Sequence, residues 1–331
     1  MKSLSLFALL LAVLTGCETA ADLPEPPHTP RVSLLYLLNQ TPQDSSFNEL
    51  FRQRQLYVSS SQHVFSTDRL NGRADAAVEL RDAAGRVVER YRPVTSNYPQ
   101  GGYSAAPGYY RPVLGFRPQP GQTYLLRATL PGLETAESTL TLPPLPTIES
   151  ASYQPRGAPG PGTSYATGRL TVAVADDPSA ANYYLAYARL LDAQGQPFEY
   201  GWVEVDNDSQ ANSASIGQFQ LSSARSQLSI GTFGIQPFAD TNLNGQRLTL
   251  ATDIRYISGC YSQGPCPRPA FIEVTVSSIT ADAYNFYLSS RRYYDSDGNP
   301  FAEPAPLASN VRAGYGLFGG ATDATYRIQL P

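Results

Sequence analysis

From Ala74 to Leu142 apolar residues recur at alternate positions in short runs, and a turn ends each run. Ala76, Val78 and Leu80 would face inward while Glu79 and Arg81 face outward, the period of a half-buried strand. Asp82-Ala83-Ala84-Gly85 then supplies a turn that returns the chain through Arg86–Tyr91 as a hairpin. Pro120-Gly121 launches a further strand over Thr123–Leu130, Pro131-Gly132 ends it, and Glu137–Leu142 closes the unit. Strands of this length at this spacing predict an antiparallel sandwich. The 26 Gly and 28 Pro of the chain favour short strands and many turns over long helices.

The run Leu142-Pro143-Pro144-Leu145-Pro146 is the natural boundary, because proline cannot donate to a ladder. The expected organisation is a first β-sandwich over residues 31–143, a linker over 144–168 and a second β-rich domain over 169–331. In the first, an apolar strand at Val32–Leu38 precedes a polar insertion, Asn39 to about Arg54, and a strand near Gln55–Val58. In the second, Leu170–Val174, Asn182–Leu191, Tyr200–Val205, Arg247–Tyr256 and Ala270–Ser277 read as strands, the last two as a hairpin. The one helix expected runs from about Ala281 to Tyr293. Thr280 is its N-cap, Asp282 suits the helix dipole, and Ile279 with Tyr284 has the spacing of a hydrophobic staple. Tyr284, Tyr287, Leu288 and Arg291 share one face at helical spacing, which predicts the packed stripe. The fold class is thus mostly β, two antiparallel sandwiches with one helix near the C-terminus.

The N-terminus carries a different signal. Lys2 precedes Leu4–Leu14, an uncharged run well short of the roughly 20 apolar residues that span a bilayer. Leu14-Thr15-Gly16-Cys17 follows, the pattern at which a bacterial cell acylates the Cys thiol and cleaves before it. Residues 1–16 are then a signal peptide and Cys17 the lipidation site. Residues 17–30 form a stalk, since Pro24, Pro26, Pro27 and Pro30 favour extended geometry with a reach of up to roughly 40 Å. The net charge of −4 and the lack of a basic patch argue against nucleic acid as a partner.

With Cys17 taken by lipid, Cys260 and Cys266 remain as a pair across a turn-rich loop. A disulfide is the expected state in an oxidising compartment. The metal alternative lacks a second Cys or His pair, and the redox alternative lacks the tighter spacing. Asp240-Thr241-Asn242-Leu243-Asn244-Gly245 matches the opening of a calcium loop with Asp240, Asn242 and Asn244 as ligands. Ala251 stands where a bidentate Glu would be needed, so an Asx-rich turn competes with that reading. No other cofactor is expected. Tyr103, Tyr109 and Tyr110 lie in a Gly- and Pro-rich loop, where exposed rings could stack on sugars or a peptide.

Catalytic machinery is hard to assemble. The only His residues are His28 in the stalk and His63 in a Ser-rich strand, and a nucleophile needs a base held by a third group. The carboxylate pairs Asp176/Asp177, Asp206/Asp208 and Asp295/Asp297 sit in turn-rich sequence. Glycoside hydrolysis instead needs two carboxyls facing each other across a cleft.

The segment Ala76-x-Val78-x-Leu80-x-Asp82…Gly85 followed by Pro120-Gly121-Gln122-Thr123-Tyr124 resembles the prealbumin-like sandwiches of carboxypeptidase-regulatory domains. Over almost the whole chain a second resemblance accumulates, carried by Cys17-Glu18, Pro120-Gly121-x-x-Tyr124, Asp177-Pro178…Asn182-Tyr183-Tyr184 and the late helix. Its most specific part is Pro300-Phe301-x-Glu303-Pro304…Ser309-Asn310…Gly314-Tyr315-Gly316-Leu317-Phe318-Gly319. Together these look like the domain-of-unknown-function 4249 (DUF4249) lipoproteins of Bacteroidota. The resemblance implies an outer-membrane lipoprotein, facing the cell surface or the periplasm, often encoded beside a TonB-dependent transporter. It supplies no catalytic residues. Two departures stand out: the Cys260 and Cys266 pair is not a family feature, and no clear acidic run follows Cys17, so the leaflet stays open. The expected role is a non-catalytic accessory to such a transporter, assisting nutrient capture or assembly. The alternative is a stand-alone adhesin or structural surface protein.

Overall fold

The computed structural model describes residues 26–40, 54–63, 71–94, 107–156, 165–198, 201–206, 221–222, 235–241, 244–258, 268–296 and 306–331. The chain divides into a small unit, Met1–Thr29 with Gln62–Arg69, and a large one, Pro30–Ser61 with Leu70–Pro331. In the small unit the rings of His28 and His63 lie 4.8 Å apart.

The large unit is mostly β. Its strands are β1 (Val32–Asn39), β2 (Leu56–Ser60), β3 (Ala77–Asp82), β4 (Val87–Pro93), β5 (Tyr109–Pro112), β6 (Thr123–Thr129), β7 (Ala136–Thr141) and β8 (Thr147–Pro155). They continue with β9 (Tyr165–Ala175), β10 (Tyr183–Leu191), β11 (Gly201–Val205), β12 (Phe238–Ala239), β13 (Arg247–Ser258), β14 (Phe271–Ile279) and β15 (Gly314–Gln329). One helix, α1 (Ala281–Ser296), is present among the described residues.

Eleven strands form a sheet in the order β12-β10-β14-β15-β1-β2-β5-β4-β3-β6-β7, and β11-β13-β9-β8 form a second sheet. The pairings are antiparallel with one exception, β1 beside β15, which run parallel with Val32 opposite Gly314 and Leu38 opposite Gly320. Alternation within strands did not foretell that pair, because it joins the first strand to the last.

Three cores follow from this order. From β1 through β7 the large sheet wraps round Leu34, Tyr36, Val58, Leu80, Leu126 and Phe318. It nearly closes, because Glu137 of β7 exchanges backbone hydrogen bonds with Arg312, just ahead of β15. At the other end, one face of β10 and β14 packs on the four-stranded sheet through Ala186, Val274, Val276, Leu170, Val172 and Leu250. The opposite face carries α1, with Leu185, Tyr187 and Leu317 against Ala283, Phe286 and Tyr287. The alternation expected at Ala76, Val78 and Leu80 is present, all three being buried. The chain passes from the edge strand of one sheet to the edge of the other through the proline run after β7.

Two expectations are corrected. Strands β13 and β14 do not form a hairpin, since β13 pairs with β9 and β11 while β14 pairs with β10 and β15 in the other sheet. The packed face of α1 is Ala283, Phe286, Tyr287 and Ser290; of the expected stripe Tyr287 is buried and Tyr284 packs beside it, but Arg291 is exposed and bonds Gln236 at 2.9 Å. Ala283 makes this rotation possible, because its small side chain lies against β15 where Gly319 leaves room: a Cβ on Gly319 would come within 3.0 Å of the Ala283 Cβ. The start of the helix is as expected. Thr280 Oγ1 accepts the Ala283 N–H at 3.4 Å, and Ile279 and Tyr284 join the same core.

Strand β15 depends on glycine where it meets β1. Gly316 has a φ of +108°, and a Cβ there would lie 1.8 Å from the Leu34 carbonyl oxygen. Farther along β15, the side chain of Asp323 is buried with that of Arg54, which is 2% exposed although it ends a polar stretch. The Arg54 guanidinium grips both Asp323 carboxylate oxygens and donates to Ser277 Oγ at 2.9 Å. Burial opposes the charge on Arg54, but the neighbouring Asp323 more than restores it.

Gly316→Ala is expected to cost more than about 4 kcal/mol or prevent folding, read as loss of a cooperative melt in circular dichroism. Asp323→Ala, which strands a buried cation, should cost about 3–5 kcal/mol in urea unfolding, whereas Arg54→Met with Asp323→Leu should recover most of that loss.

Candidate functional site

A cleft of about 500 Å³ opens where three parts of the large unit meet: the outer end of β7, the turn between β9 and β10, and the junction of β14 with α1. That volume lies within the roughly 300–1,000 Å³ of small-ligand sites. Thr139 and Thr141 form one wall, Asp177 and Tyr183 a second, and Thr280 and Asp282 the third.

The walls are held by their own polar contacts. Asn182 pins the turn, its side-chain amide donating to the carbonyls of Asp177 and Ala180 at 2.8 Å each. Asp176 accepts the Tyr184 hydroxyl at 2.7 Å and the Gly245 N–H at 2.8 Å. The Asp177 carboxyl is held below its usual range by the backbone N–H and then the hydroxyl of Ser179. On the helix side, Asn310 donates to Asp282 at 2.9 Å and exchanges hydrogen bonds with the backbone of Phe318. The two sequence motifs Asp177-Pro178…Asn182-Tyr183-Tyr184 and Ser309-Asn310 therefore serve one place. The first builds a wall of the cleft, and the second fastens α1 to β15 behind another.

The cleft is acidic and rich in hydroxyl groups. Ser179 and Ser278 join the three threonines, Asp177 and Asp282 supply charge, and no Arg or Lys is among the described residues that line it. A carboxylate in the first turn of α1 offsets the positive end of the helix, so the site does not suit an anion. Tyr183 packs against Tyr284 in a tilted pair, with ring centroids 4.8 Å apart.

Other candidate residues lie elsewhere. Tyr110 is a core residue: its hydroxyl donates to the Arg73 carbonyl and accepts the Ala76 N–H, each at 2.9 Å, so it is not the exposed platform expected. Tyr109 is half-buried against Tyr57. Asp240 is buried and accepts the Asn182 N–H at 3.0 Å, tying β12 to β10, while Asn244 is exposed. Among the described residues no three His, Cys, Asp or Glu side chains gather as a metal-binding group. Cys17, Tyr103, Asn242, Cys260 and Cys266 lie outside the described residues, as do Asp208 and Asp297 of the carboxylate pairs.

Next to Tyr109 and Tyr110, the loop after β5 is held by a buried carboxylate. Glu89 accepts backbone N–H groups from Arg90, Val113, Leu114 and Phe116 at 2.6–3.0 Å, which leaves Val113 and Leu114 more than half exposed. Sequence alone offered no sign of this, because Glu89 reads as an ordinary strand residue.

The model of the domain-of-unknown-function family DUF4249 matches residues 44–327, so its span takes in the whole cleft. The chain belongs to that family. No curated protein matches it.

Burial pushes the Glu89 carboxyl up, but its four N–H donors outweigh this and hold it below the usual 4.5. Its contribution to stability is therefore complete above that value and is lost as pH falls through the lower folded-state value. Glu89→Gln should cost about 1–3 kcal/mol in urea unfolding at neutral pH, and the gap to the parent protein should narrow in acid.

Proposed function

We propose that this protein is a bacterial outer-membrane lipoprotein of Bacteroidota, acylated on Cys17, that serves a TonB-dependent transporter without catalysing a reaction. The observation that carries this reading is Leu14-Thr15-Gly16-Cys17 followed by a proline-rich stalk. Membership in DUF4249 agrees with it. Two or three acyl chains make a lasting anchor, because each buried CH₂ adds about 0.8 kcal/mol. The anchor and stalk would confine the folded part near the transporter, where a high effective concentration lets a weak interface suffice. The cleft beside β7 is the place where a nutrient would be held before transfer. Cys260 and Cys266 would be joined as a disulfide, stable in an oxidising compartment.

Mass spectrometry of the natively expressed polypeptide should find an acylated Cys17 as its first residue. Affinity capture in mild detergent should recover a transporter β-barrel. An unacylated thiol or a retained leader removes the anchor from the account, and recovery of the lipoprotein alone removes the transporter.

A further inference from the structure

The outer edge of β7 is an unfilled place in a sheet. Strand β7 ends the order of the large sheet, with β6 on its inner side. Leu142 directs its backbone groups to that inner side: its N–H bonds the Gln122 carbonyl at 2.9 Å, and its carbonyl accepts the Gly121 N–H at 2.8 Å. Glu137 directs its own the opposite way, accepting from Arg312 at 2.8 Å and donating to it at 3.1 Å. Backbone groups in a strand alternate sides, so those of Thr139 and Thr141 point outward with Glu137. Arg312 fills only the position opposite Glu137, because the chain then turns into β15 beside β1. Among the described residues none bonds to the outward groups of Thr139 or Thr141, and both residues line the cleft.

We infer that the cleft binds an extended peptide with basic side chains, which adds a strand to β7 along Thr139 and Thr141. Main-chain pairing supplies affinity in this mode of recognition, and the flanking walls select the side chains. The walls here carry Asp177 and Asp282 without a compensating cation, with Asp176 behind the same turn, so a guanidinium or ammonium group is the matching partner. Two outward N–H and C=O sets at strand spacing match a peptide backbone. A sugar would want several open aromatic faces, and the one aromatic among the described residues of the lining, Tyr183, already packs against Tyr284. The inference rests on the reading of this cleft as a binding place and names its ligand, but its test concerns the isolated chain and is decided whether or not a transporter is the partner.

The test uses the full mature chain in mild detergent and a fluorescein-labelled peptide, Thr-Arg-Val-Arg-Thr, followed by fluorescence polarisation. Binding should weaken about tenfold or more when both Arg are replaced by Glu. It should weaken similarly when the peptide is N-methylated at those alternate residues that face the strand, a control that leaves the protein untouched. Asp177→Asn with Asp282→Asn should reproduce the charge effect. Thr139→Pro removes an outward N–H at an edge position that tolerates proline, so it should abolish binding while a cooperative melt is retained. Bound peptide should also slow hydrogen exchange at the Thr139 and Thr141 amides. Equal binding of the basic and acidic peptides overturns the inference. So does full affinity of peptides N-methylated at either set of alternate residues, or capture of a neutral oligosaccharide with no peptide binding at millimolar concentration.

Discussion

The close approach of β15 to β1 is the contact on which the rest of the molecule depends. It requires glycine, because at Gly316 the Leu34 carbonyl occupies the space that any Cβ would need. From that approach the remaining relations follow. One edge of β15 takes β1 in parallel and the other takes β14 antiparallel, so one strand belongs to the wrapped sheet and to the sandwich at once. The face that carries Leu317 and Ala321 receives α1, while Phe318 points into the wrapped core. Loss of this strand would open all three cores together.

Polar groups reinforce the same strand. Arg54 reaches across to Asp323, Asn310 ties its beginning to the first turn of α1, and Thr322 donates to the carbonyl of Pro144 at 2.7 Å. A buried ion pair adds little net stability compared with a hydrophobic pair of the same shape, but it tolerates few alternative registers. Slipping β15 by one residue would leave Arg54 buried without its carboxylate. The pair therefore acts on register together with Gly316, since a slip would also bring Tyr315 or Leu317 against the Leu34 carbonyl.

Much of the architecture was legible along the chain, since strands with one buried face announce themselves by alternation. Ala76, Val78 and Leu80 are an example, and Thr280, Asp282 and Ile279 marked the start of the helix by the chemistry of its end. Pairing between distant strands was not legible, because alternation says which face is buried and nothing about which neighbour lies alongside. Arg54 was hidden for a related reason: a charged residue closing a polar stretch gives no sign that Asp323 waits to receive it. Ala283 misled because a small side chain is a weak hydrophobic signal, and here its smallness is what lets α1 approach. The cleft draws its walls from three remote stretches, so no single stretch of the sequence pointed to it. Tyr110 shows the opposite error, an aromatic in loop-like sequence whose hydroxyl is used to knit strands together.

The parallel seam of β1 and β15 also sets a schedule. Strand β15 follows β1 by all the strands described between them, so the side of β1 that takes β15 stays open until those intervening strands exist. Contacts between such distant stretches form slowly, since a long loop must close before they repay its lost freedom. The seam can thus close only after every segment between its two strands has been made.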